Sequence, residues 1–205
     1  MFVTGAAMFC TAPIAGRLSD KIDIRYMLTV GLILVGTGAI MNATLTDQSG
    51  FDQFFWPQVV RGMGILMCII TAARIALGTL PPMEIGNASG LFNVVRNLGG
   101  AFALAAMDTV RDYRVDYHWN QIIPNIDMGR TVVAQQLYQL EAMMNGAVND
   151  PQAAAIKEIG YRVLMQAEVL SFNDLFLLLG AIYLCAVPVV LFLRKPAMAA
   201  GGGGH

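Results

Sequence analysis

Apolar residues in this chain come in runs too long for a soluble core, with the polar residues gathered in islands between them. Five runs stand out, at 2–15, 26–45, 54–80, 91–107 and 175–193. A helix satisfies its own backbone hydrogen bonds, so an apolar stretch of about 18 residues or more can cross the hydrocarbon layer of a membrane. The last four runs reach or approach that length. The first, Phe2 to Ala15, is too short. It lacks the positive leader and cleavage site of a signal peptide, and it reads as the second half of a helix whose start is missing.

Between 109 and 173 the pattern changes. Val133, Leu137, Leu140 and Met144 recur at helical spacing, and so do Ile156, Ile159, Val163, Ala167 and Leu170. Gly146 and Asn149 separate the two patterns. Asp150-Pro151 then opens the second one, because an Asp side chain accepts a first-turn N–H and Pro fits a first turn. The pattern predicts an amphipathic helical hairpin that leads straight into the last span, which Asp174 or Ser171 could cap. The expected fold class is therefore all-α, a polytopic membrane protein of about five transmembrane helices. Residues 1–108 would hold helices one to four, 109–173 the hairpin, 174–195 the last span and 196–205 a flexible tail.

Charge sets the expected topology. The loop 16–25 carries Arg17, Lys21 and Arg25, the loop 46–53 carries only Asp47 and Asp52, and Arg194-Lys195 follow the last run. Short loops rich in Lys and Arg stay in the cytoplasm. Five crossings then place the 16–25 loop, the 81–90 loop and the C-terminus on the cytoplasmic side, with 46–53 and 109–173 outside.

Composition agrees with a membrane protein. Hydrophobic residues make up 56%, charged residues 13%, and mean hydropathy is +0.58, whereas soluble domains carry about 25% charged residues. A net charge of −1 leaves no electrostatic footprint for nucleic acid. Cys10, Cys68 and Cys185 each lie within an apolar run and read as small buried hydrophobes. His118 and His205 stand alone, so no metal site or cofactor is expected. The chain has no catalytic triad, Walker loop or HExxH motif, and it is not expected to be an enzyme.

Ionisable groups inside a membrane are costly, which makes them candidates for function. Arg61 follows Gln58 and precedes Gly62 and Gly64, small residues that let helices approach closely. Asn93, Arg96 and Asn97 form a polar stripe at helical spacing, and Gly99-Gly100 offers another close approach. Arg74, near the cytoplasmic end of its span, reads as a snorkelling charge. No Asp or Glu falls at the centre of a span.

One island carries more information than the rest. Gly16-Arg17-Leu18-Ser19-Asp20-Lys21-Ile22-Asp23-Ile24-Arg25 resembles the Gly-x-Leu-x-Asp-x-x-x-x-Arg loop signature of the major facilitator superfamily. Gln58 to Gly64, Leu80-Pro81-Pro82, Gly86 to Asn93, Arg96 to Ala101, Gln166-Ala167 and Asn173 to Phe176 resemble, in order, the matching region of the EmrB/QacA-type, fourteen-helix drug–proton antiporters.

The resemblance covers nearly the whole chain and aligns it with the last five helices, so the N-terminal half of the transporter would be missing. It implies alternating access in the inner membrane and export of amphipathic small molecules against protons. In Gram-negative members it also implies a periplasmic adaptor (membrane fusion) protein and an outer-membrane channel. Carried over, Gly16, Arg17, Asp20, Lys21 and Arg25 would form the cytoplasmic gate. There Gly16 would permit close helix approach, and Asp20 would pair with an Arg and a helix N-terminus. Arg61 would line the central cavity, whereas Arg74 departs from the family pattern. The family's proton-carrying acids lie mostly in the other half. A competing expectation is a non-transporting membrane scaffold that docks an adaptor through the outer hairpin.

Overall fold

The computed structural model describes residues 2–44, 46, 50–78, 80–81, 83–126, 131–145 and 150–192. Its elements are α1 (Phe2–Lys21), α2 (Ile24–Asn42), α3 (Phe51–Leu77), α4 (Ile85–Ile122), a 3-10 turn (Ile123–Asn125), α5 (Thr131–Met144) and α6 (Pro151–Phe192). The chain is an all-α polytopic membrane fold. Among the described residues, α2, α3, α4 and α6 are long and apolar enough to cross a membrane. Arg194, Lys195 and the 196–205 tail lie outside the described residues, as do Asp47, Arg130, Gly146 and Asn149.

Three helix boundaries differ from the expectation, each for a local reason. The island at 16–25 is mostly helix, since α1 continues to Lys21 and α2 begins at Ile24. Charge ends an apolar run without ending a helix, and only Ile22 and Asp23 make the turn. The fourth helix likewise runs on to Ile122, well past the apolar stretch. Its charged end has no Gly or Pro until Pro124, and an i,i+3 pair, Asp108 with Arg111 at 3.6 Å, lies along it. Finally α6 is one helix from Pro151 to Phe192, so neither Ser171 nor Asp174 caps a span. The Ser171 hydroxyl instead donates back to the Ala167 carbonyl at 2.7 Å. The start of α6 is as the sequence implies, with the Ala153 N–H donating to Asp150 Oδ1 at 3.1 Å and Pro151 opening the helix.

The chain divides into two compact units, Met1–Ala106 with Phe176–His205, and Met107–Leu175. In the first, glycines decide which helices touch. Apolar burial gives helices little reason to associate in lipid, so contact depends on how closely backbones can approach. On the α2–α3 contact, a Cβ at Gly64 would meet Val35 N at 2.7 Å and Gly31 O at 2.8 Å, and one at Gly38 would meet Arg61 N at 3.0 Å. Rising numbers on α2 meet falling numbers on α3, so the two run antiparallel. On α1–α3 the helices run parallel, and a Cβ at Gly62 would lie 2.9 Å from Thr4 O. Gly36 and Gly180 face each other where α2 meets the end of α6. The outer surface is apolar, with Phe102, Leu104, Val189 and Phe192 at 76, 74, 65 and 88% exposure. A surface of that kind is suited to lipid rather than water.

In the second unit the two predicted apolar stripes face one another. Val133 and Leu137 of α5, Ile156 and Val163 of α6, and Trp119 of α4 line one cleft of about 260 Å³.

Candidate functional site

The charged turn between α1 and α2 is built by the ends of both helices. The last carbonyls of a helix have no partner within it. Here Ile22 N–H donates to Leu18 O at 2.9 Å, and Arg74 Nη1, reaching from α3, donates to Ser19 O at 2.8 Å. A cation at a helix C-terminus is also favoured by the helix dipole. Arg74 is therefore no lone snorkelling charge, because it ties α3 to the end of α1. The Ser19 hydroxyl donates to Gly16 O at 2.8 Å. Asp23 stands at the N-cap of α2, where its backbone carbonyl accepts from Tyr26 and Met27. Arg17 and Lys21 point to the exterior, while Arg25 is half-buried and its Nε has no partner. Asp20 has helical backbone, and its side chain lies outside the described part. Space is open around Gly16, where a Cβ would meet nothing within 4 Å. No close approach occurs there among the described residues.

A second polar cluster sits within the apolar bundle. Gln58 Oε1 accepts from the Thr4 hydroxyl at 2.6 Å and from Arg61 Nη2 at 3.1 Å, and so joins α1 to α3. The Arg61 guanidinium lies 5.9 Å from the centre of the Phe176 ring, a cation–π distance. Its Nε is buried without a partner. Gly62 and Gly64 bracket the next turn and allow the close contacts with α1 and α2 described above. Nearer the end of α2, Asn42 is 1% exposed and neither atom of its amide has a partner. Nothing in the sequence singled out Asn42 or Thr4, because each is one short polar side chain in an apolar run.

The predicted stripe on α4 is not brought into either cluster. Asn93, Arg96, Asn97, Gly99 and Gly100 are all exposed, and a Cβ at either glycine would meet nothing within 4 Å.

A third cluster lies in the second unit, and the sequence had scattered it. Asp174 Oδ2 of α6 accepts from Arg114 Nη2 at 2.7 Å and Nε at 2.9 Å, and contacts His118 Nε2 at 2.6 Å. Arg114 packs 5.3 Å over the Tyr117 ring, which meets the His118 ring edge-on at 5.5 Å. His118, which reads as isolated along the chain, is thus paired with an acid 56 residues away. The i,i+4 spacing of Arg114 and His118 puts them on one helix face. Only the tertiary contact supplies the carboxylate.

Comparison with known proteins places these features in context. A family model described as Major Facilitator Superfamily matches residues 1–104. The Colistin resistance protein EmrB of Acinetobacter baumannii is 35% identical over 195 residues, which is 95% of this chain and 38% of that protein. The Multidrug export protein EmrB of Escherichia coli K12 is 27% identical over 194 residues, 94% of this chain and 37% of that protein. The Fatty acid resistance protein FarB of Neisseria gonorrhoeae is 25% identical over 195 residues, covering 95% and 37%. The chain thus spans well under half the length of these relatives.

Proposed function

Since this chain belongs to the Major Facilitator Superfamily, we propose that it is the C-terminal portion of an inner-membrane exporter that expels amphipathic small molecules in exchange for protons. The observation that carries this reading is the charged turn at α1–α2, anchored from α3 by Arg74. It places Arg17, Lys21, Arg25 and the backbone of Asp20 and Gly16 at one end of a tightly packed helical bundle. In a transporter whose halves rock about a central site, such a turn holds one end of the cavity shut and releases it. Gly16, left open on this chain, is then the point where a helix of the other half approaches. Arg61, with Gln58 and Thr4, is the polar side of the cavity wall. The stripe Asn93, Arg96, Asn97, Gly99 and Gly100 faces the same missing half.

Relatives named for colistin resistance, multidrug export and fatty acid resistance support amphipathic substrates. On this reading the C-terminus lies in the cytoplasm, which the basic residues at 16–25 and 194–195 support. On this reading, too, the segment 109–173 lies outside the membrane, where its helical hairpin meets a periplasmic adaptor that leads to an outer-membrane channel.

The test is efflux from proteoliposomes holding the full-length transporter, with a fluorescent amphipathic dye and an imposed pH gradient. Extrusion that stops when the gradient is collapsed by a proton–potassium exchanger supports proton antiport. Extrusion that continues unchanged without any ion gradient refutes it.

A further inference from the structure

We propose that the cleft of the second unit is a binding site for the single alkyl chain of an amphipathic molecule. Trp119 of α4, Ile123 of the 3-10 turn, Val133 and Leu137 of α5, and Ile156 and Val163 of α6 line one space of about 260 Å³. Ile126 lines it too, and its N–H donates to Ile123 O at 2.9 Å, so a backbone bond ties these two wall residues together.

The lining suits hydrocarbon better than water. Among the described lining residues none is charged, and the one polar side-chain group is the Trp119 indole N–H, which only donates. A buried water makes about three hydrogen bonds, more than such a lining offers. Ile123 and Ile156 are 42 and 45% exposed, and a chain laid in the cleft takes that apolar surface out of water.

Gly160 supplies an independent observation. Glycine weakens a helix interior and is kept there mainly where something approaches the backbone closely. At Gly64 that something is α2, but a Cβ at Gly160 would meet nothing within 4 Å. Gly160 lines the cleft, so the space its missing side chain leaves open belongs to the binding site.

Size narrows the occupant. An apolar cavity of about 150 Å³ holds benzene, so by proportion 260 Å³ holds a chain of about ten carbons. Drug-sized ligands sit in pockets of about 300 Å³ upward, and a two-chained lipid is larger still. A single-chain amphipath fits, with its head group left at the mouth because burying an unpaired charge is costly. That such a molecule is also one the exporter expels rests on the reading above. The site itself does not.

Photo-labelling of the full-length protein in nanodiscs tests the site without any ion gradient. The probe is decanoic acid with a diazirine at its chain end, and the labelled positions are mapped by mass spectrometry. Label should concentrate in 119–126, 133–137 and 156–163, relative to the lipid-exposed residue Phe102. Competing 1-alkanols should gain about fourfold in affinity per added methylene, with the gain ending near about ten carbons. Gly160→Leu fills the cleft from within and should cut the label about tenfold, because a packed space admits no second chain. Exchange of amides 112–122 should stay at the wild-type rate in that variant. Gly160→Ala adds one methyl to open space and should weaken the ten-carbon alcohol about fourfold, which carries the test should the leucine variant lose its fold. Label no stronger than at Phe102 overturns the site, as does label that persists undiminished in Gly160→Leu. Affinity that keeps rising with chain length means partition into bilayer and also overturns it. A diazirine phospholipid that labels the cleft as strongly as the free acid assigns it to membrane lipid instead. Efflux that fails in the wild-type protein would remove only the link to export.

Discussion

Gly64 and Gly99 are the same residue type in helices of the same chain, with opposite demands on them. A methyl group at Gly64 would press on Val35 N and Gly31 O, both backbone atoms that cannot rotate away. Gly64→Ala should therefore force α2 and α3 apart and cost about 1–3 kcal/mol. Gly99→Ala meets open space. It should be neutral in this chain or favourable by up to about 1 kcal/mol, since alanine is the better helix former. Thermal unfolding of the two variants in detergent measures the contrast, and equal midpoints would contradict it. Side-chain polarity works the same way at this scale. Arg61 is tolerable in an apolar bundle because Gln58 shares its oxygen with it and Phe176 offers a ring face.

At the scale of the elements, helix ends explain more than helix interiors do. α1 outlasts its apolar run because Arg74 takes up the Ser19 carbonyl, one of those the helix itself leaves bare. Arg74→Met keeps the stem and removes the donor. Its expected effect is faster amide exchange over residues 19–22, by about fivefold or about 1 kcal/mol, with α2 and the middle of α3 unchanged. Exchange that stays at the wild-type rate over 19–22 would mean that Arg74 does not hold this end. α6 begins where Asp150 and Pro151 say it should, and it passes Ser171 and Asp174 without a break. Hydropathy marks where a helix meets lipid, whereas capping and chain breakers mark where it stops. That is why the spans were legible in the sequence while the true lengths of α1, α4 and α6 were not.

For the whole molecule the deciding fact is coverage, since this chain spans 37–38% of the length of the relatives it matches. A gate residue has an effect only when the part it closes against is present. On the proposed gate reading, Asp20→Asn in the full-length protein should lower efflux at least tenfold while substrate affinity stays within about twofold, because a latch would act on the cycle and not on the bound state. Normal efflux at equal expression would remove Asp20 from the gate. On the same proposed reading, in which this chain supplies one wall of the cavity, the 205 residues by themselves should catalyse no net dye export in proteoliposomes.

Several features of this protein follow from its sequence alone: the membrane fold, the order of spans, the amphipathic stripes of α5 and α6, the start of α6 and the resemblance carried by the 16–25 island. All of them are local or periodic, and so can be read along one chain. The tertiary structure alone decided three others. It placed Arg74 on the end of α1, Thr4 on Gln58, and Asp174 between Arg114 and His118. Each joins residues more than 50 positions apart. No periodicity encodes such a pairing, because it depends on how closely the glycines let particular helices pack and on which faces then meet.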